Sequence, residues 1–486
     1  MPFPFDNSYA RLPQEFFVLT TPTPVARPQM IRLNRALASE LGLDVGRLDS
    51  PKGLAILAGN QLAEGSQPLA MAYSGHQFGG FSPQLGDGRA ILLGEVVGQD
   101  GQRYDIQLKG AGATPFSRRG DGRSALGPVL REYIVSEAMA ALGLPTTRAL
   151  AAVASGEQVI REGYKPGGVF TRVARSHIRV GTFQWFAARQ DHANLRILAD
   201  YVIQRLYPEV QHVENPYLSL LESVIERQAK LIAQWMQVGF IHGVMNTDNM
   251  NVSGETIDYG PCAFMDSYHP LKTFSSIDCQ GRYAFANQAA MGHWNLTRFA
   301  ETLLPLLDDD QERAISLARA ALDSFAEHHQ SEVDQRFTAK IGIVDGDASD
   351  LNLVETLLAA MAAGKADFTL VFRHLADALA SHDDRPVIEL FEAPDAITAW
   401  LAAWRQRLPE NQRAAAVDLM RRTNPIIIPR NHRIEAAIQA GEAGDFAPFH
   451  RLNDVLQRPF SVAAGDRQFE AAPHPGEIVQ ATFCGT

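Results

Sequence analysis

Phe240-Ile241-His242-Gly243-Val244-Met245-Asn246-Thr247-Asp248-Asn249-Met250-Asn251-Val252, followed after Ser253-Gly254-Glu255 by Thr256-Ile257-Asp258-Tyr259-Gly260, is the stretch on which the reading of this chain turns. It follows Tyr217 to Val238, where Leu218, Leu221, Ile225, Leu231, Ile232 and Trp235 recur at the spacing of one helical face. A long helix therefore delivers the chain into a His-Gly turn, an Asn seven positions after that His, a short hairpin, and an Asp before aromatic-Gly. An amide oxygen and a carboxylate are hard donors. Brought together by a tight loop, they can hold Mg²⁺ or Mn²⁺ against phosphates. Asn249 and Asp258 fill those two positions.

That order of features is the layout of a kinase-type metal site, and the upstream segments agree with it. Gln84-Leu85-Gly86-Asp87-Gly88-Arg89 lies between apolar runs, where Gly86 and Gly88 permit a close approach of backbone to phosphates. Lys109 alternates with Ile106 and Leu108, so it faces the opposite side of its strand from that apolar pair. A helix expected from Pro128 to Leu142, stopped at Gly143, offers Glu132 and Glu137 as ion-pair partners for Lys109, with Glu132, one turn in, preferred. Two features depart from an ordinary kinase. Val244 stands where the aspartate that accepts the substrate proton is expected, and Asp248 is the nearest replacement base. Three arginines, Arg172, Arg175 and Arg179, lie beside the expected nucleotide cleft, with Ser117-Arg118-Arg119-Gly120-Asp121-Gly122-Arg123 adding more charge. Guanidinium forks match phosphate oxygens in pairs. Arginines on the β- and γ-phosphates would turn the α-phosphate to the acceptor and make pyrophosphate the leaving group.

Ala90 to Val97, Tyr104 to Lys109, Arg148 to Ala154 and Gly168 to Ala174 read as antiparallel strands, with a turn at Asp100-Gly101. Met30, Leu33, Leu37 and Leu41 predict an amphipathic helix near the start. Beyond residue 182 the texture is mostly helical. The expected fold is α+β: a protein kinase-like bilobal arrangement with an N-terminal extension (1–72), a small antiparallel-sheet N-lobe (73–182) and a larger helical C-lobe with a C-terminal extension (183–486).

Composition bounds the function. In 486 residues, 44 basic against 55 acidic side chains give a net charge of −11, with 46% hydrophobic and 20% charged residues. This is a globular composition, and the acidic balance argues against a chain-wide nucleic-acid footprint. No run approaches the ~18 apolar residues of a membrane span. The start shows no secretory or organellar signal and Cys262, Cys279 and Cys484 form no disulfide framework or paired zinc motif, so a cytoplasmic location is expected; the assembly expected is a monomer. Gly110-Ala111-Gly112 lacks the full dinucleotide fingerprint, His328-His329, His374 and His382 lack zinc spacing, and His242 reads as a structural support for its loop.

Taken together, Gly86-Asp87-Gly88-Arg89, Lys109-Gly110-Ala111-Gly112, Gly120-Asp121-Gly122-Arg123, Arg172 with Arg179, and His242 through Asn249 resemble the selenoprotein O family over essentially the whole chain. The resemblance implies a kinase-like fold that binds ATP flipped and transfers AMP to Ser, Thr or Tyr hydroxyls of proteins. It implies that Gly86, Gly88, Arg89, Lys109, Asp121, Gly122, Arg172, Arg179 and Asp258 contact ATP, that Asn249 and Asp258 bind Mg²⁺ or Mn²⁺, and that Asp248 accepts the proton. It also implies a redox-active Cys484, with Cys279 as its partner. UMP transfer, an ordinary γ-phosphoryl kinase and a nucleotide-binding pseudokinase scaffold are the competing readings.

Overall fold

The computed structural model describes residues 3–161, 163–344 and 346–483. Ten strands occupy the first part: β1 Phe17–Leu19, β2 Gln29–Leu33, β3 Leu69–Met71, β4 Gly75–Gln77, β5 Gly80–Ser82, β6 Ala90–Val97, β7 Arg103–Lys109, β8 Ser124–Ala125, β9 Arg148–Ile160 and β10 Tyr164–Ala174. Seven of them run in the order β1-β3-β6-β7-β10-β9-β2, with β8 on β10, and every pairing is antiparallel. β6 and β7 are joined at Gly101, whose φ of +75° a residue with a side chain adopts only at a cost. Alternation along β7 then sorts its side chains. Ile106 and Leu108 enter an outer core with Leu37, Leu41, Leu48, Ile56 and Leu57, while Gln107 and Lys109 face the helix Leu126–Ala141. Because Gln107 lies directly opposite Arg172 on β10, all three polar side chains share that inner face.

The expected helix over Met30–Leu41 is corrected. Residues 29–33 form β2, paired with β9, and the helix spans only Arg35–Glu40, because the Asn34 side chain caps it by accepting from the Leu37 N–H at 3.1 Å. Met30 and Leu33 still pack on the same outer core as Leu37 and Leu41. The apolar spacing was therefore satisfied by a strand followed by a short helix. The residues before 73 also supply β1 to β3 of the sheet.

The rest is helical, with Pro216–Gln237, Gln288–Leu307 and Gln311–Lys340 the longest helices. Pro216 sits in the first turn of its helix behind an Asn215 cap, and Leu220, Leu221, Ile225, Leu231, Ile232 and Trp235 are buried along one side. One apolar core runs from the inner face of the sheet through Leu126–Ala141 into these helices. A second, built on Phe337, Phe368, Phe372, Trp400 and Trp404, lies among the later helices. Near the end, Asn431–Glu442 and Ala447–Leu456 return to brace the Leu126–Ala141 helix, with Phe449 edge-on to Tyr133 at 5.5 Å. Among the described residues no helix is long and apolar enough to cross a membrane.

Candidate active site

The inner face of β7 and β10 meets the His242–Gly260 stretch in one buried cluster of charge. Lys109 Nζ donates to Glu132 Oε2 at 2.6 Å and to Asp258 Oδ1 at 3.3 Å. Glu137 is engaged elsewhere, with Arg148, the Asn34 amide and the Ala149 N–H, so Glu132 is the lysine's partner. Arg172 Nη1 reaches Asp258 Oδ1 at 2.7 Å and Glu132 Oε1 at 3.2 Å. Arg179 Nη1 reaches Asp258 Oδ2 at 3.0 Å and the Asp248 carbonyl at 2.8 Å, and its guanidinium stacks on Tyr73 at 4.6 Å. Burial alone would raise the pKa of Asp258, but Arg172, Lys109 and Arg179 together hold it well below the usual carboxylate range. Its φ of +64° is a left-handed conformation that Asp tolerates better than most residues. His242 supports this turn: its Nε2 donates to the Ile257 carbonyl at 2.9 Å.

The expected hairpin between Asn251 and Thr256 is corrected in detail. A turn at Gly254 is present, but its two arms pair with different partners, Asn251 with Arg179 and Thr256 with Thr146. The loop therefore ties the 249–258 segment to β10's end and to the helix–β9 connection at once.

Asn249 Nδ2 donates to the Val244 carbonyl at 3.0 Å, which fixes the amide and leaves its oxygen as the available donor atom. Among the described residues no group of three or more His, Cys, Asp or Glu gathers as a metal site. One oriented amide oxygen and one ionised carboxylate nevertheless fit Mg²⁺ or Mn²⁺, which take oxygen donors and share their coordination with phosphates and water. Asp248 is 7% exposed, and burial pushes its carboxyl up to about 6. Gln77 Nε2 donates to its Oδ2 at 3.0 Å, whereas its Oδ1 is buried without a partner.

Of the other expected site residues, Gly86 and Gly88 lie tight against the Phe116 loop. The Gly86 N–H already donates to Tyr73 O, and a Cβ on Gly86 would lie 2.2 Å from the Phe116 ring at a φ of +72°. A Cβ on Gly88 would lie 2.9 Å from the Phe116 carbonyl. Gly86→Ala is therefore expected to destabilise the protein by roughly 2–4 kcal/mol. An unchanged denaturant midpoint would show that the Phe116 loop gives way freely. The Arg89 carbonyl accepts from the Gly110 N–H at 2.7 Å. Asp121 is bound by both Arg161 Nη atoms at 3.0 Å, and Gly122 is pressed against Gly112, so neither touches the Lys109–Asp258 cluster. Arg175 points away, to Gln102 at 2.8 Å.

Three participants escaped the sequence reading. Gln107 Oε1 accepts from Arg172 Nε and Nη2 at 3.2 and 2.7 Å, and Gln107 Nε2 donates to Asp87 Oδ2 at 3.1 Å. Its signal was available, as a polar residue two positions before Lys109 on the same face of the strand. Tyr73 and Gln77 had none.

A family model described as "Protein adenylyltransferase SelO" matches residues 2–457. The chain belongs to the SelO family. Curated relatives span its full length. It is 60% identical to "Protein nucleotidyltransferase YdiU" of Bradyrhizobium sp. strain BTAi1, covering 100% of this chain and 99% of that protein. The identity to the proteins of the same name from Rhizobium etli and from Rhodopseudomonas palustris strain HaA2 is 60% and 57%, covering 100% of this chain and 97% and 99% of theirs. Of the cysteines the SelO resemblance singled out, Cys279 is exposed, and Cys484 lies outside the described residues. Cys262 is buried, which pushes its thiol up to about 12 and leaves it inert.

Proposed function

We propose that this protein is a nucleotidyltransferase that moves AMP from ATP to Ser, Thr or Tyr hydroxyls of protein substrates and releases pyrophosphate. The observation that carries this reading is the convergence of Arg172 and Arg179, besides Lys109, on Asp258. An ordinary kinase has no need of two further buried cations there. The acceptor oxygen forms a bond to the α-phosphorus as the bond from that phosphorus to the bridging oxygen of the departing diphosphate breaks. The breaking bond's electron pair leaves with pyrophosphate, and the hydroxyl proton passes to Asp248. Lys109, Arg172 and Arg179 offset the charge that grows on pyrophosphate. Asn249 and Asp258 would hold Mg²⁺ or Mn²⁺, which when bound adds positive charge at the phosphates.

Residues 73–182 act as the N-lobe and 183–486 as the C-lobe of a cytoplasmic monomer, with 1–72 laid on the N-lobe. Cys279 and Cys484 form a reversible disulfide. The course of the chain supports this, because Thr482 pairs with the segment just before Cys279: its N–H donates to Phe274 O at 2.7 Å and its carbonyl accepts from the Ser276 N–H at 3.0 Å. Equal activity and equal peptide mobility in oxidised and reduced samples would refute the disulfide.

The deciding experiment supplies a general protein acceptor, Mg²⁺ or Mn²⁺, and ATP labelled at the α- or the γ-phosphate. Label from the α position alone is expected. Label from the γ position alone would restore the kinase reading, and neither label, with ATP bound, would favour a scaffold. UTP in place of ATP tests whether UMP is carried. Asp248→Ala is expected to bind ATP and lose about 10²-fold or more in turnover; near-normal turnover would exclude it as the base.

A further inference from the structure

The hairpin formed by β4 and β5 stands apart from the eight-stranded sheet and is bonded instead, residue by residue, to the loop that carries Asp248. The Phe78 N–H donates to Asn246 Oδ1 at 3.0 Å, the His76 N–H to Thr247 Oγ1 at 2.7 Å, and Gln77 Nε2 to Asp248 Oδ2 at 3.0 Å. Thr247 Oγ1 donates onward to Gln184 Oε1 at 2.7 Å, and the Gln184 amide meets His76 Nδ1 at 2.8 Å, which closes the network. The hairpin lies so close to the loop that a Cβ on Gly75 would sit 2.8 Å from Asp248 Oδ1.

Its tip is strained in a way that the loop compensates. Phe78 and Gly79 have φ of +50° and +88°, the left-handed pair of a tight two-residue hairpin turn, in which a phenylalanine at the first position is unfavourable. Such a residue persists where its surroundings over-determine it. Here the Asn246 side chain holds the Phe78 amide while Tyr283, whose hydroxyl donates to the same Asn246 oxygen at 2.7 Å, faces the Phe78 ring at 5.2 Å. On β5, Phe81 is 43% exposed and packs its ring against His76 of β4 at 4.9 Å.

We propose that this hairpin forms the acceptor side of the site and that Gln77 is a positioning residue for Asp248. The proposal rests on the reading of Asp248 as proton acceptor. A carboxylate free to rotate presents either oxygen to an incoming hydroxyl in many orientations. With Oδ2 held by the Gln77 amide, the carboxylate plane is set and Oδ1, the oxygen without a partner, is the one that takes the hydroxyl proton. Among the described residues the Gln77 side chain hydrogen-bonds Asp248 alone, so its effect is expected to pass through that carboxylate.

The test is Gln77→Met in the full-length protein, which keeps the side chain's length and removes its donor. Transfer of α-label from ATP to a general protein acceptor is measured beside ATP affinity and melting temperature. The expected result is a kcat lower by about tenfold or more, with KM for ATP, ATP affinity and Tm unchanged. A kcat within about twofold of the parent, while Asp248→Ala has lost activity, would overturn the positioning role and leave the base in place. A parallel fall in Tm and ATP affinity would overturn it too, since the hairpin would then be a structural plug. Normal turnover by Asp248→Ala would remove the reading beneath both.

Discussion

Asp258→Ala is expected to lose nucleotide transfer by about a thousandfold or more and to unfold at a temperature several degrees lower. Both effects have one cause. The carboxylate is the shared counter-ion of Lys109, Arg172 and Arg179, at 3.3, 2.7 and 3.0 Å. The two arginine side chains are 2% and 3% exposed, so water cannot replace the lost charge. Glu132 would remain to serve Lys109 and Arg172, but among the described residues Arg179 forms no other ion pair. Breaking a buried pair by removing one partner costs ~3–5 kcal/mol, because the other charge stays desolvated. Asp258→Asn separates the two effects: it keeps the shape, loses the charge, and is expected to be as inactive yet better folded than the Ala variant. Thermal unfolding and α-label transfer on both variants check this. An Ala variant with the parent's melting temperature would show that the arginines find other anions.

Lys340→Met is expected to stabilise the protein by about 2–4 kcal/mol at pH 7, and the gain should shrink as pH rises. Lys340 closes the helix Gln311–Lys340 and is 1% exposed in the second core. Its Nζ lies 4.1 Å from the Phe372 ring centre and 5.0 Å from that of Phe368, with no ion pair to a carboxylate among the described residues. Burial pulls its pKa from 10.5 down to about 7. In the unfolded chain the amine keeps its ordinary value. Between pH 7 and 10.5 the unfolded state therefore binds the extra proton, so this residue makes stability rise with pH across that window and leaves it flat below. The displacement corresponds to ~5 kcal/mol at most, and the ring contacts and the helix C-terminus recover a part of it. Methionine matches the stem and carries no charge. Urea unfolding of both proteins at pH 6, 8 and 10 reads the effect as a difference; the same gap at pH 6 and pH 10 would rule out Lys340 as its source.

The residues that proved legible were those whose signal is local. Lys109 showed its face through a two-residue alternation with Ile106 and Leu108, and the sheet honours it. β6 spans Ala90–Val97 as expected, and the Pro216–Gln237 helix lies one residue from its expected span. The two ends of the 248–258 loop were expected close together because its spacing limits how far apart they can be, and Arg179 joins the Asp248 carbonyl to the Asp258 carboxylate. Arg172 and Arg179 were legible as charge beside a strand, and the family resemblance separated them from Arg175. The Met30–Leu41 spacing misled for a local reason as well: four apolar positions fit one helical face, yet pairing with β9 and the Asn34 cap divided them between a strand and a short helix.

What the sequence by itself determined is therefore the order of sheet before helices, the strand faces and the family, all of which follow from periodicity, turn chemistry and motif within a few tens of residues. Only the tertiary structure decided between Glu132 and Glu137, because that choice depends on Arg148 and Asn34 claiming Glu137. Only it could bring Gln77 to Asp248 across 171 positions of chain. A side-chain amide in a short hairpin carries no pattern that names its partner, and such a contact exists only once the sheet, the long helix and the loop between them have fixed where both ends lie.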